Sequence, residues 1–217
     1  MRVNVLEKTR DPILADGRAA LSEVPRVRES LYLTLFEATY APLIVPWVQT
    51  EQELIWLAPG TVPLLTAEKV AAWGKPGNRR FLFWKAGSPA PVGYAELNNM
   101  TERPDQMWIG HFLVSPAHRG NHYGTRFAQT LLTMAFSRLS ARDVLLVVFP
   151  DNASAIHCYH RAGMIPLGHE RKFFETTGRH HVFLRMGISA ARYHALVAAR
   201  QLPSDPLPLY RLPQMSS

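Results

Sequence analysis

One cysteine, Cys158, is all the thiol chemistry that the 217-residue sequence carries. It excludes an intrachain disulfide and any zinc site built on cysteines. No apolar run reaches the ~20 residues that a membrane-spanning helix needs. The opening stretch MRVNVLEKTRDPILADG lacks an apolar segment and carries acidic residues, so a secretory leader is not expected and a cytoplasmic location is. Blocks of like charge are also missing. The 24 Lys and Arg residues exceed the 17 Asp and Glu by a net +7, yet they are scattered, and no nucleic-acid-binding module accompanies them. Such a surface suits a ligand with several phosphates equally well. None of the nine histidines falls in an HExxH pattern, so no metal site is expected.

What is present supports a folded domain. With 47% hydrophobic and 19% charged residues the chain can bury a substantial core. Residues 1–28 read as a poorly ordered arm, 29–188 as one domain, and 189–217 as a helix followed by a proline-rich tail. Leu31–Phe36 alternates like a strand. Pro42 and Pro46 break Tyr40–Val48 into short turns. Thr50 and Glu53 form a capping box for a helix through Leu57, and Thr66 caps another over Ala67–Trp73. Arg80–Lys85, Val92–Leu97 and Met107–Val114 are expected strands, with NNMTERPDQ as a polar loop before the last. Gly124–Arg138 has helical periodicity through Phe127, Leu131 and Met134. Val144–Phe149 is a continuous apolar run, as in a strand covered on both faces. Ala153–Ala162 is a helix closed by Gly163. A hairpin over Ile165–Phe174 and His180–Ile188, a helix over Ala190–Gln201 and an extended PSDPLPLYRLPQ strap complete the chain. A helix between Met107–Val114 and Val144–Phe149 makes those two strands parallel, within a mixed α/β fold.

Two segments carry candidate chemistry. In Phe112–Gly124, FLVSPAHRGNHYG, a strand enters a glycine-containing loop and then a helix, whose first amides have no intrahelical partners and suit a phosphate. A plain turn is the competing reading. The second, Asp151–Tyr159, places Asn152, Ile156 and Tyr159 on one helical face beside the end of the parallel strand. Taken singly, Tyr159 reads rather as a core aromatic and Asn152 as a helix cap.

Together these segments resemble the GNAT acetyltransferase superfamily. Its acetyl-CoA motif, Gln/Arg-x-x-Gly-x-Gly/Ala, stands here as Arg119-Gly120-Asn121-His122-Tyr123-Gly124, with His122 in place of the first glycine. Its second signature appears as Asn152, Ala155-Ile156, Tyr159 and Gly163-Met164. The resemblance spans about Leu31 to Ile188. It implies a central, mostly antiparallel sheet with one parallel pair splayed around the cofactor and helices on both faces. It further implies that acetyl-CoA is the co-substrate, held by Phe112, Leu113, Val114, Arg119, Gly120, Asn121, His122, Tyr123, Gly124, Thr125, Asn152 and Tyr159. The activity implied is direct acetyl transfer to an amine of a protein, aminoglycoside, polyamine or other small molecule. A non-catalytic acyl-CoA-binding module is the alternative.

For that transfer Tyr159 suits the acid that protonates the leaving thiolate, since a phenol of pKa ~10 can donate to a thiolate of pKa ~8.5. Glu96 and His111 are rival bases for the incoming amine, with a water chain as a third option. Cys158 reads as an inert thiol. A homodimer is compatible with the aromatic, proline-rich tail.

Overall fold

Backbone pairing builds one eight-stranded sheet in the computed structural model, which describes residues 30–74, 77–205 and 207–210. The arm expected over 1–28 and the tail beyond Tyr210 lie outside the described residues. In chain order the elements are β1 (Leu31–Leu35), α1 (Ala41–Ile44), α2 (Glu51–Leu57), α3 (Ala67–Ala72), β2 (Arg79–Lys85), β3 (Gly93–Met100) and β4 (Arg103–Val114). They continue with α4 (Tyr123–Arg138), β5 (Asp143–Val148), α5 (Ala153–Arg161), β6 (Ile165–Phe174), β7 (Arg179–Ser189), α6 (Ala190–Ala198) and β8 (Leu209–Tyr210). The sheet order is β6-β7-β5-β4-β3-β2-β1-β8. Its neighbours are antiparallel except for β4 with β5 and β1 with β8. Among the described residues no helix is long and apolar enough to cross a membrane.

Local chemistry sets the element ends. Thr50 Oγ1 accepts from the Glu53 amide at 3.1 Å, while the Glu53 carboxylate reaches back to the Gln49 amide at 2.8 Å. This closes a capping box one residue further out than the usual pattern. Thr66 and Ser189 cap α3 and α6 in the same way. Pro42 and Pro46 fall in the first turns of α1 and of a 3-10 turn at Val45–Trp47, where a missing N–H costs nothing.

The sheet has a core on each face. Phe81, Leu82, Phe83 and Trp84 of β2 are all buried. Phe81 and Phe83 pack on one side with Phe127 and Leu131 of α4, and Leu82 and Trp84 on the other with Ile44 of α1 and Val70 of α3. In β3, Ala95 and Leu97 join the α4 side and Tyr94 the α1–α3 side. Helices therefore cover both faces, and the face that carries Tyr94 is also the one to which Glu96 belongs.

Three expectations are corrected. The polar segment NNMTERPDQ is not a loop. β3 runs on to Met100 and β4 starts at Arg103, because backbone pairing at the hairpin's exposed end needs no apolar side chains. Pro104 falls within a register shift of that ladder, where a missing donor is tolerated. Val144–Phe149 is not covered equally on both faces. Val144, Leu146 and Val148 are buried, whereas Leu145 and Val147 are half-buried and line recesses. Finally, the strap is not wholly irregular, since Leu209 and Tyr210 pair with Leu33 and Thr34 as β8.

Candidate active site

The parallel strands β4 and β5 pair only where Gln106–Trp108 meet Asp143–Leu145. Beyond that point β4 is paired with β3 alone and β5 with β7 alone. The sheet therefore splits between Ile109–Val114 and Leu146–Val148, and a cleft of about 1610 Å³ opens at their carboxyl ends. A bulge reinforces the split. Tyr94 pairs with Leu113 and Glu96 with Gly110, so three steps on β4 face two on β3. His111, in the bulge, has φ +42°, a left-handed value that histidine adopts more readily than β-branched residues.

One end of the cleft is formed by the loop from Ser115 to His122 and the first turn of α4. Gly120 (φ +76°) and His122 (φ +61°) are both left-handed, so the backbone keeps a glycine-like shape at His122 although a side chain is present. The His122 imidazole is exposed at the cleft's mouth. Gly124 sits where α4 passes closest to β4 and α5. A Cβ there would lie 3.1 Å from Cys158 Sγ, 3.6 Å from Val114 Cγ2 and 3.9 Å from Phe112 Cε1, so glycine lets the three elements close up at the floor of the cleft. Phe112, Leu113, Val114, Tyr123 and Thr125 also line the cleft; the Asn121 side chain instead donates to the Arg119 carbonyl at 3.2 Å. Arg119 ties this loop to the opposite wall. Its guanidinium donates to Val114 O at 3.1 Å, Glu53 Oε1 at 2.6 Å and Trp47 O at 2.7 Å, which commits three of its five donors.

α5 forms the other wall. Asn152 is the cap, its Oδ1 accepting from the Ala155 amide at 3.2 Å and from the Ser154 hydroxyl at 3.1 Å, which leaves its NH₂ for a ligand. Tyr159 is buried, with its ring edge-on to Phe112 at 5.6 Å. Its hydroxyl has no hydrogen-bond partner among the described residues, and the residue lines the cleft. Burial, and secondarily Cys158, push its ionisation far above the usual phenol range, so the group stays protonated. Burial likewise pushes the Cys158 thiol up to about 11, only partly offset by a hydrogen bond with Thr125.

At the far end of the cleft the two candidate bases meet. Glu96 is 1% exposed and accepts from Tyr94 OH at 2.9 Å and Asn98 Nδ2 at 3.2 Å. His111 Nδ1 lies 2.9 Å from Glu96 Oε1, close enough for an ion pair although not aligned as a straight hydrogen bond. Burial pushes the Glu96 carboxyl up, but His111, Tyr94 and Asn98 outweigh it and hold the group below the usual carboxylate range. The Trp73 ring stacks on His111 at 4.5 Å and 5°. His111 Nε2 has no partner among the described residues. Together these supply a protonated phenol near the splayed strands and a carboxylate-backed imidazole at the far end of the cleft, separated by unpaired strand edge.

The family model described as "Acetyltransferase (GNAT) family" matches residues 45–164, more than half of the chain. The chain belongs to that family. Among curated relatives, this GNAT chain is 29% identical over 118 residues to the spermidine N(1)-acetyltransferase of Escherichia coli K12. That match covers 54% of the chain and 61% of the relative, less than two thirds of the latter's length. Among solved structures, the Vibrio cholerae spermidine N-acetyltransferase in complex with CoA and spermine superposes with a TM-score of 0.63 at 20% identity, covering 76% of this chain and 98% of that one. The aminoglycoside acetyltransferase AAC(6')-Ib in complex with coenzyme A gives 0.61 at 16%, covering 76% and 98%. At such identities the likeness establishes the GNAT fold.

Within the GNAT fold the residues singled out from the sequence gather around one cleft, with Asn121 turned aside. Several neighbours were not foreseen. The capping box identified Glu53 as a local cap, but nothing in the sequence announced its partner Arg119, 66 residues away. Trp73 read as a helix end rather than a platform for His111. Trp56, whose Nε1 donates to Asp151 Oδ1 at 3.0 Å and so bridges α2 to the start of α5, carried no signal.

Proposed function

We propose that this chain is an acetyl-CoA-dependent N-acetyltransferase acting on an amine. The observation that carries the reading is the split between β4 and β5, floored by Gly124 and faced by the unpartnered Tyr159 hydroxyl. The residues present fit acetyl-CoA, because the left-handed turn at Gly120 and His122 delivers the first amides of α4, which have no intrahelical partner, to the cleft. When bound, acetyl-CoA supplies an activated acetyl thioester. The amides of the Gly120–Thr125 turn hold its diphosphate at the positive end of α4. The two uncommitted donors of Arg119 and the Asn152 NH₂ add to that grip. The free edge of β4 at Phe112–Val114 hydrogen-bonds the extended arm. An amide at Leu113 or Val114 donates to the thioester oxygen as charge builds there, an effect worth up to ~4 kcal/mol.

His111, oriented by Glu96, takes a proton from the incoming ammonium so that nitrogen can attack. The C–N bond forms as the C–S bond breaks. Tyr159 gives its proton to the departing sulfur and is restored, by way of water, by the second proton that the acetylated nitrogen sheds, while His111 passes the first to solvent. Glu96 acts through His111, since it already serves three partners and is closed to solvent. Support for an amine acceptor comes from the relatives, named as spermidine and aminoglycoside acetyltransferases. The left-handed backbone at His122 favours a working diphosphate loop over the non-catalytic alternative. The single thiol accords with a cytoplasmic setting.

Thiol release from acetyl-CoA across a panel of amines, with mass spectrometry of the products, tests the reading. Acetylated amine in proportion to released thiol is expected. Cofactor binding without any product would overturn it.

A further inference from the structure

Resting on that reading, the charge and ring content of the acceptor end narrow the acceptor. Among cleft-lining residues the carboxylates are Glu53, Glu96 and Glu102. Glu53 is bound to Arg119, and Glu96 is buried under Tyr94, Asn98 and His111. Only Glu102, exposed in the β3–β4 turn, is uncommitted among the described residues. Against it stands Arg161 on the same lining, since Arg119 is paired with Glu53 and Lys172 with Glu170 at 2.8 Å. Lys172 Nζ also sits 5.2 Å above the Trp108 ring and occupies a face that a substrate cation would use.

A polyamine carries three or four charges, and each one leaving water needs a carboxylate in return. One exposed glutamate, with Arg161 on the same lining, does not meet that need. Rings, by contrast, are concentrated around the loop Ala58–Thr61. Trp56 precedes it on α2, and the Trp73 indole donates to Thr61 Oγ1 at 3.0 Å. Phe174 lies 3.8 Å from where a Cβ on Gly60 would stand, and Thr176 donates to the Pro59 carbonyl, which ties the loop to the β6–β7 hairpin. Trp73 is the ring stacked on His111, so the wall beside the proposed base is itself aromatic.

We infer that the acceptor is a primary monoamine with an aromatic body, its ring held among Trp56, Trp73 and Phe174 and its single ammonium directed to His111. Aromatic walls accommodate a planar apolar body by stacking and one positive charge by cation–π attraction. They do not replace the several carboxylates a polycation requires.

The test compares tryptamine with spermidine in the thiol-release assay on the full chain, with acetyl-CoA binding followed in parallel by thermal shift. Expected is a kcat/KM for tryptamine at least tenfold above that for spermidine. Trp56→Ala should raise the tryptamine KM at least fivefold, whereas Trp56→Phe, which keeps a ring but loses the bond to Asp151, should stay within about twofold. A Trp56→Ala protein whose melting temperature falls sharply is replaced by Phe174→Leu, with the same expectation. Equal or better use of spermidine overturns the inference and leaves the acetyltransferase reading standing. No turnover of tryptamine overturns the inference, and if acetyl-CoA also fails to stabilise the protein, the acetyltransferase reading falls with it.

Discussion

His111 Nδ1 stands 2.9 Å from Glu96 Oε1 across the β3–β4 bulge, and the Trp73 indole covers the imidazole at 4.5 Å. The carboxylate stands against one ring nitrogen, and Nε2 has no partner among the described residues. The arrangement follows from register: the bulge between the Tyr94–Leu113 and Glu96–Gly110 pairs brings His111 onto the same side as Glu96.

His111→Gln is expected to lower kcat by about 10²–10⁴, the usual share of a positioned base. Glu96→Gln should keep part of that activity, and its pH effect on stability has a defined sign. Because the Glu96 carboxyl is held below its ordinary range, its contribution is present above the unfolded carboxylate pKa of ~4.3 and is lost as pH falls through the folded value. Urea midpoints measured between pH 3 and 6 should fall more steeply for the wild type than for Glu96→Gln.

Arg119 links the loop before α4 to α2 through Glu53 and the Trp47 carbonyl. Arg119→Ala should cost about 1.5–3 kcal/mol in denaturant unfolding, the range for hydrogen bonds involving a charged group. Arg119→Lys should recover less than half of it, since a point charge cannot serve three divergent acceptors. Equal stability of all three proteins would show that the link is slack.

Much of this was legible in the sequence, for definite reasons. α4 declared itself through Phe127, Leu131 and Met134 at helical spacing, and the site loop through Gly120, Gly124 and the strand and helix on either side. Tyr159 and Asn152 were placed by their offset on α5. What escaped depends on contacts distant in sequence. The polar ends of β3 and β4 pair through backbone alone, and β8 forms because β1 offers a free edge. Trp73 meets His111 only once the sheet is assembled. Glu96 and His111 read as rivals because sequence spacing does not reveal that a bulge turns them into a pair.

The Cys158 thiol, pushed up to about 11 by burial, should resist alkylation. At pH 8 its reaction with iodoacetamide is expected to run at least tenfold slower than that of a free thiol of pKa ~8.5. The rate should rise steadily toward pH 11, and saturating acetyl-CoA should slow it further because Cys158 borders the groove at Gly124. Rapid labelling at pH 7 would contradict that burial.

Tyr159→Phe removes only the hydroxyl of a residue that lines the cleft. Turnover should fall about 10²–10³-fold, with the acetyl-CoA dissociation constant changed less than threefold. Unchanged kcat would take the phenol out of the reaction.

The most direct measurement is calorimetric titration of acetyl-CoA into the wild type and into Gly124→Glu, with a thermal melt to establish that both are folded. Glutamate at the groove floor would crowd Cys158 and Val114 and set a carboxylate against the diphosphate, so binding should be saturable in the wild type and at least 100-fold weaker in the variant. Equal affinity in two folded proteins would place the cofactor somewhere other than between β4 and α5.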